Sequence, residues 1–233
     1  MNTLALELQT ASGARPLSFG LRRLVNVGYA GRDQAAVRAH VEELREQGVA
    51  PPPTTPLCIF VAASILTTGD EIEVLPGRTS GEAEVALFVD GERMYVGVGS
   101  DHTDRDLESV SMEKSKQICP NVVSRQVWRY EDVAERWDRL VLRSFVTRGE
   151  SGGERPYQCA PLSALLPVQA LLDCVLSRLP EAGREGLVIF SGTVPLLGAP
   201  ADDADRFRCE LCDEEAGRWL ECSYRIRKLC GMR

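Results

Sequence analysis

Three acids within twenty residues carry the chemistry most open to physical argument. Glu82-Ala-Glu84 opens a stretch that runs to Asp101, and Gly97 and Gly99 lie between them. Carboxylates at i and i+2 on a strand point the same way and are roughly 6.5 to 7 Å apart at the backbone, so both can bend toward one ion. Oxygen-only donors of this kind suit a hard divalent cation. The same pattern also describes the solvated face of an amphipathic hairpin. The third acid and the glycines are what set the ion beside that alternative.

The element that must position these acids is a hairpin. Glu82 to Val89 alternates, with Ala83, Val85, Leu87 and Val89 as a core-facing set and Glu82, Glu84, Ala86 and Phe88 opposite. Asp90-Gly91 suits a two-residue turn, and Glu92 to Ser100 alternates again. With that loop Val89 faces Glu92, Glu84 faces Gly97, and Glu82 faces Gly99. Directly opposed residues share a face, so each glutamate has a glycine across from it and Asp101 stands beside Glu82.

Other candidate groups lie outside the hairpin. Asp33 to Gly48 predicts a helix with Asp33 as N-cap and a stripe of Val37, Val41 and Leu44. On it His40 and Glu43 are neighbours at i+3, which fits an oriented base or a half-buried surface histidine with an acidic neighbour. Lys114 and Lys116 form either a solvated patch or one inward-turned cation. Gly186 to Gly198 holds a β-branched run that ends in Ser191-Gly192-Thr193, delivering small polar groups and backbone NH groups at a strand end.

The 233 residues, 44% hydrophobic and 26% charged, suit one sizeable globular core, either alone or with a small appendage. A net charge of -7 argues against a nucleic-acid partner. No apolar run approaches the roughly 20 residues that span a bilayer. The N-terminus lacks a basic start followed by an apolar run, so a cytoplasmic location is expected. In that compartment eight scattered cysteines read as free thiols. Cys209 and Cys212 are the one close pair, and they fall on opposite faces of a strand with no second pair to complete a zinc site.

The Pro-rich connector 50–56 suggests a small N-terminal lobe (1–50) with a lid-like helix, ahead of a main unit (51–233), the two forming one structural unit. Leu162 to Leu179 reads as an apolar helix that Pro167 bends or begins. Arg206 to Asp213 and Arg218 to Ile226 read as a closing hairpin. Alternating short strands with a few helices give an α+β class, rich in mixed β-sheet.

These residues resemble the fumarylacetoacetate hydrolase superfamily. Its signature is a strand bearing E-x-E followed by a segment of the form N-D-x-[ST]-x-R-D. Here Glu82-Ala-Glu84 and Ser100-Asp101-His-Thr103-Asp-Arg105-Asp106 match it. The late Ser191-Gly192-Thr193 loop, the Lys114-Ser-Lys116 region and the His40/Glu43 pair resemble further family elements. With VGVGSDHTDR and SKQICP the chain most resembles a bacterial and fungal branch of that superfamily.

The resemblance implies a mixed β-roll, usually dimeric, with Glu82, Glu84 and Asp101 binding Mg2+ or Mn2+, and Ca2+ as an ion that could replace them in a crystal. It implies that Arg105, Gly192 and Thr193 contact substrate and that Lys116, rather than Lys114, joins His40 and Glu43 in catalysis. The implied reaction is hydrolytic C–C cleavage of a 2-oxo acid or acylpyruvate-like diketo acid through an enolate. Decarboxylation, dehydration or isomerisation on the same site, or non-catalytic oxo-acid binding, are the alternatives. The chain departs from the pattern in a shorter interval from Glu84 to Asp101, in Ser100 for asparagine, and in lacking a lysine-proline before the hairpin. A different substrate pocket is therefore expected.

Overall fold

The structure is a computed structural model that describes residues 2–46, 51–149 and 152–229, with the side chains of residues 40, 44, 181 and 182 outside that description. Two sheets dominate it. The larger has ten strands, and its main path runs Gly13–Leu21, Asn2–Thr10, Gln126–Arg129, Arg93–Asp101, Ala83–Asp90, Leu187–Thr193, Arg23–Gly28, Leu57–Val61. The short strands Asn121–Val123 and Leu66–Thr67 extend it beside Arg93–Asp101. The smaller sheet runs Arg155–Pro161, Val141–Thr147, Arg206–Asp213, Arg218–Lys228, Glu71–Val74. Parallel pairs such as Leu187–Thr193 with Arg23–Gly28 sit among antiparallel ones, so the sheets are mixed. The class is the α+β, β-rich arrangement that the alternation of short strands indicates.

The central hairpin lies in the middle of the large sheet and is buried on both faces. Ala83, Val85, Leu87, Val96 and Val98 pack toward the smaller sheet, in one cluster with Leu142, Phe207, Leu211 and Leu220. Ala86, Phe88 and Tyr95 face the other way, into a second cluster with Leu4, Phe19, Ile59 and Phe190. Phe19, on an end strand, meets the central Phe88 edge-on at 5.2 Å. The ten-stranded sheet is therefore rolled around its own side chains. Glu84 shares the parity of Ala86 and Phe88, so its face is the lining of the roll and not a solvated surface.

The register differs from the expected one by two residues. Asp90 pairs with Arg93 and Glu84 with Gly99, leaving Gly91-Glu92 as the loop. Only Gly91 of these has positive φ, +65°, which suits a turn with glycine in its first central position. Asp101 consequently lies opposite Glu82, whose carbonyl accepts the Asp101 N–H at 3.2 Å. Gly99 has a different reason from clearing space for an ion. A Cβ there would sit 2.3 Å from the carbonyl oxygen of Val122, so glycine lets the neighbouring strand approach.

The first 28 residues supply three strands of the large sheet and are built into it rather than standing apart as a lobe. The expected lid helix is present as Gln34–Glu46, capped by the Asp33 carboxylate accepting from the N–H groups of Ala35 and Ala36 at 3.0 Å. Its expected end at Gly48 lies outside the described residues. The apolar segment from Leu162 begins as a 3-10 turn, Leu162–Ala164, and the helix proper is Val168–Leu176, with Pro167 at its N-cap. Cys209 and Cys212 are buried, and Cys209 is paired with Cys222 in the sheet, consistent with free thiols in a core. No helix among the described residues is long and apolar enough to cross a membrane.

Gly99→Ala tests the close approach. It should lower stability by about 3 kcal/mol, at the upper end of overpacking costs, measured as a fall in the denaturant midpoint at unchanged m-value.

Candidate metal centre and its cavity

Glu82, Glu84 and Asp101 each place a carboxylate oxygen within 4.8 Å of the others. Glu84 comes from the hairpin's first strand, Asp101 ends the second, and Glu82 immediately precedes the first. The backbone between the two glutamates is clamped from the far sheet. The Gln158 side chain accepts from the Ala83 N–H at 3.0 Å and from the Ser144 hydroxyl at 2.9 Å. Its amide nitrogen donates to the Thr193 hydroxyl and to the Val194 carbonyl. Thr193 in turn donates to the Ala83 carbonyl at 2.8 Å. Both polar groups of Ala83 are thus tied, and the glutamates on either side are aimed by it.

A β-bulge makes this clamp possible. Ser144 pairs with Gln158 but Phe145 with Pro156, so Tyr157 is the extra residue. Tyr157 and Gln158 are both buried although they are adjacent on a strand. A two-residue alternation gives no hint of that.

Lys116 supplies the central charge. It lies on the short helix Met112–Ile118, capped by Ser111, and its ammonium is buried. Nζ donates to Glu82 Oε2 at 2.6 Å, to Asp101 Oδ2 at 2.8 Å and to Thr103 Oγ1 at 2.8 Å, which uses all three protons. Arg105 braces the far oxygen of Glu82 at 3.0 Å, while also donating to Ser80 and Glu108. Lys114 is exposed on the outer face of the same helix.

The electrostatics leave the site short of positive charge. Burial works against Lys116's charge, but Asp101 and Glu82 outweigh it and hold the ammonium firmly protonated. Burial pushes Glu82 upward, yet Lys116 and Arg105 together bring it down to about 2. Glu84 is pushed well above the carboxylate range by burial and then by Asp101 and Glu82. Burial takes Asp101 up to about 6 against the pull of Lys116. Four carboxylates, counting Glu108, face two cations. Asp101 Oδ1 is buried without a hydrogen-bond partner. An all-oxygen cluster with an orphaned carboxylate oxygen, whose four carboxylates would exceed its two cations by two charges once all are ionised, fits a divalent ion such as Mg2+ or Mn2+.

The other expected residues fall in different places. Gly192, at φ +84°, turns its N–H onto Glu84 Oε2 at 2.8 Å, and a Cβ there would meet the Val27 carbonyl oxygen at 2.7 Å. Gly192 and Thr193 therefore hold the carboxylates in place. Arg105, Lys116, Gly192 and Thr193 all border the same cavity of about 810 Å³ as the three acids. Ala36 and Val37 of the N-terminal helix border it too. Glu43 is exposed on that helix, and the side chain of His40 lies outside the described residues.

The motif contains one group whose role was not anticipated. His102 is fully buried, bonded through Nδ1 to the Tyr224 hydroxyl at 3.0 Å, and that hydroxyl donates to Ser100 at 2.8 Å. Ser100 accepts the N–H of Glu82 at 3.1 Å. This chain fastens the metal-side backbone to the smaller sheet.

Comparison with solved structures places the fold. The chain matches "Crystal structures of Cg1458" with a TM-score of 0.63 at 10% identity, covering 98% of this chain and 100% of that one. It matches "2-keto-3-deoxy-D-arabinonate dehydratase complexed with magnesium and 2,5-dioxopentanoate" with a TM-score of 0.66 at 13% identity, covering 96% and 79%. Both neighbours are members of the fumarylacetoacetate hydrolase superfamily, and at these identities the likeness is one of fold. A search of curated proteins gives no match. By sequence, the chain belongs to the family described as "Protein of unknown function (DUF2848)", which matches residues 27–224.

Two outcomes follow from this geometry. Asp101→Asn and Glu84→Gln should each weaken Mn2+ binding at least tenfold, read by calorimetry or by the electron paramagnetic signal of free Mn2+. His102 carries a pH signature in stability. Burial lowers it to about 3, so between there and its ordinary value near 6.5 the unfolded chain binds the extra proton. Its contribution is full above about pH 6.5 and declines by about 1.4 kcal/mol per pH unit below that. His102→Asn should flatten the acid limb of the stability profile, measured by urea denaturation from pH 4 to 7.

Proposed function

We propose that the chain is a divalent-metal-dependent enzyme of the fumarylacetoacetate hydrolase superfamily that dehydrates a small 2-oxo acid. The observation that carries the reading is the buried Glu82, Glu84 and Asp101 cluster, capped by Lys116, on the wall of a substrate-sized cavity. Glu82, Glu84 and Asp101 would hold Mg2+ or Mn2+. Such an ion, when bound, supplies a Lewis acid for a carbonyl and its neighbouring carboxylate.

The chain's own residues orient and stabilise the developing charge. Lys116 is a fixed cation, not a base, because Asp101 and Glu82 keep it charged. It stabilises negative charge that develops on the substrate's carbonyl oxygen, and its three hydrogen bonds pre-orient it for that role. Arg105 holds Glu82 ionised and in position from the other side. Gln158, Thr193 and Gly192 keep the carboxylates from rearranging as charge builds up.

Support for dehydration comes from the fold neighbour, a dehydratase by its description, complexed with magnesium and 2,5-dioxopentanoate. Hydrolytic C–C cleavage is the second reading; it needs a base to activate water, as dehydration needs one to take the proton from carbon and return it to the departing hydroxyl. Among the described residues that border the cavity there is no histidine. His102 is bonded away to Tyr224. Hydrolysis therefore rests on His40 and Glu43, on a helix whose Ala36 and Val37 border the cavity.

A panel of 2-oxo acids with hydroxyls near the carbonyl, together with acylpyruvates, incubated with Mg2+ or Mn2+ and followed by mass spectrometry, separates the readings. Metal-dependent loss of water from an oxo acid is expected, and Lys116→Met should lower kcat by about 10²- to 10³-fold while the fold persists. Cleavage of acylpyruvates that disappears in His40→Ala would instead establish hydrolysis.

A further inference from the structure

We infer that the substrate of this site carries an apolar tail of several carbons, unlike a polyhydroxylated sugar acid. The inference rests on the oxo-acid reading above and specifies the substrate class. Away from the carboxylates the cavity is walled by Val27, Val37, Ile59, Leu165, Val194 and Leu196. These come from two strands, the N-terminal helix and the loops after Ala164 and Thr193, so several separate elements contribute apolar surface to the space. At about 810 Å³ the cavity far exceeds what a three-carbon oxo-acid head needs.

Polar side chains beside the apolar wall are largely engaged with one another, and the open polar groups, Arg78 and the unpartnered Asp202 Oδ1, lie together on one side. Asn26 exchanges hydrogen bonds with Asn121, at 2.9 and 3.5 Å. The Thr193 hydroxyl both donates and accepts, Gln158 uses its oxygen twice and its nitrogen twice, and Lys116 has spent its three protons. Arg78 and Asp202 stand 3.7 Å apart on the more exposed side, with Arg78 also held by Asp106. Tyr29 borders the cavity and its hydroxyl has no hydrogen bond among the described residues, so it joins Arg78 and Asp202 as places for one or two polar substituents and not for a hydroxyl on every carbon. A tail bearing several hydroxyls would give up water without finding replacements, a loss of roughly tenfold in affinity for each one left unpaired. A hydrocarbon tail gains from the same walls.

The test uses the full chain saturated with Mn2+ and titrates, by calorimetry, pyruvate, 2-oxobutanoate, 2-oxohexanoate, 2-oxooctanoate and 2-oxogluconate. The dissociation constant should fall by roughly three- to fourfold per methylene, the increment for a buried CH₂, and 2-oxogluconate should bind no better than pyruvate. Leu196 is 39% exposed, so Leu196→Asn should leave the fold intact. That variant should shrink the affinity ratio of 2-oxooctanoate to pyruvate about fivefold. Pyruvate binding that is Mn2+-dependent, in a series flat with length or led by 2-oxogluconate, overturns the apolar tail and leaves the oxo-acid reading standing. No Mn2+-dependent binding by any member overturns the oxo-acid reading and this inference with it.

Discussion

Burying three carboxylates against one another is the constraint on which the structure turns. Each loses its hydration and repels its neighbours, so the site exists only if positive charge and hydrogen-bond donors are brought to it. Lys116 answers Glu82 and Asp101, Arg105 answers Glu82 again, and the Gly192 N–H answers Glu84. The compensation is incomplete at Asp101 Oδ1 and at Glu84. A fold that invests this much in holding acids together while leaving two of them underpaid is organised around a cation that completes the set.

That demand explains features of the scaffold that look unrelated to chemistry. The carboxylates must come from backbone that does not move, and the central hairpin is buried along nearly all of its two strands. Gln158 and Thr193 fix Ala83 from both sides, while Tyr224 and Ser100 fix the N–H of Glu82. Both clamps cross from one sheet to the other. The packing between the sheets is thus also the positioning of the site, and a core substitution near Phe207 or Tyr224 acts on the acids without touching them.

What was legible in the sequence was local. The three acids, the capped helix at Asp33, the Ser191-Gly192-Thr193 strand end and the closing hairpin all carry their signal within a few residues, whereas the choice of Lys116 over Lys114 comes only with the family resemblance. The register slipped by two because Asp90-Gly91 and Gly91-Glu92 both satisfy turn chemistry, and only the geometry at Gly91 chooses. Gln158 was invisible because a bulge at Tyr157 cancels the alternation that would have marked it. His102 stood inside the motif, yet nothing local tells a histidine bonded to Tyr224, more than a hundred residues away, from one that faces substrate. The N-terminal strands could not be assigned to the large sheet either, since their partners at Gln126–Arg129 and Leu187–Thr193 are equally remote.

The division of labour within the cavity follows from the same physics. Acids, lysine and arginine form a connected network in which each group fixes another, so substituting one disturbs them all. The wall residues Val37, Ile59 and Leu196 make no such commitments, and size or polarity can change there without unsettling the charges. A fold can therefore keep the centre while its walls are rebuilt for another substrate. The chain shares its architecture with a 2-keto-3-deoxy-D-arabinonate dehydratase at only 13% identity, and its own cavity carries Val27, Val37, Ile59, Leu165, Val194 and Leu196 on its walls. The carboxylate centre speaks to the kind of chemistry, and the walls decide which molecule is allowed to undergo it.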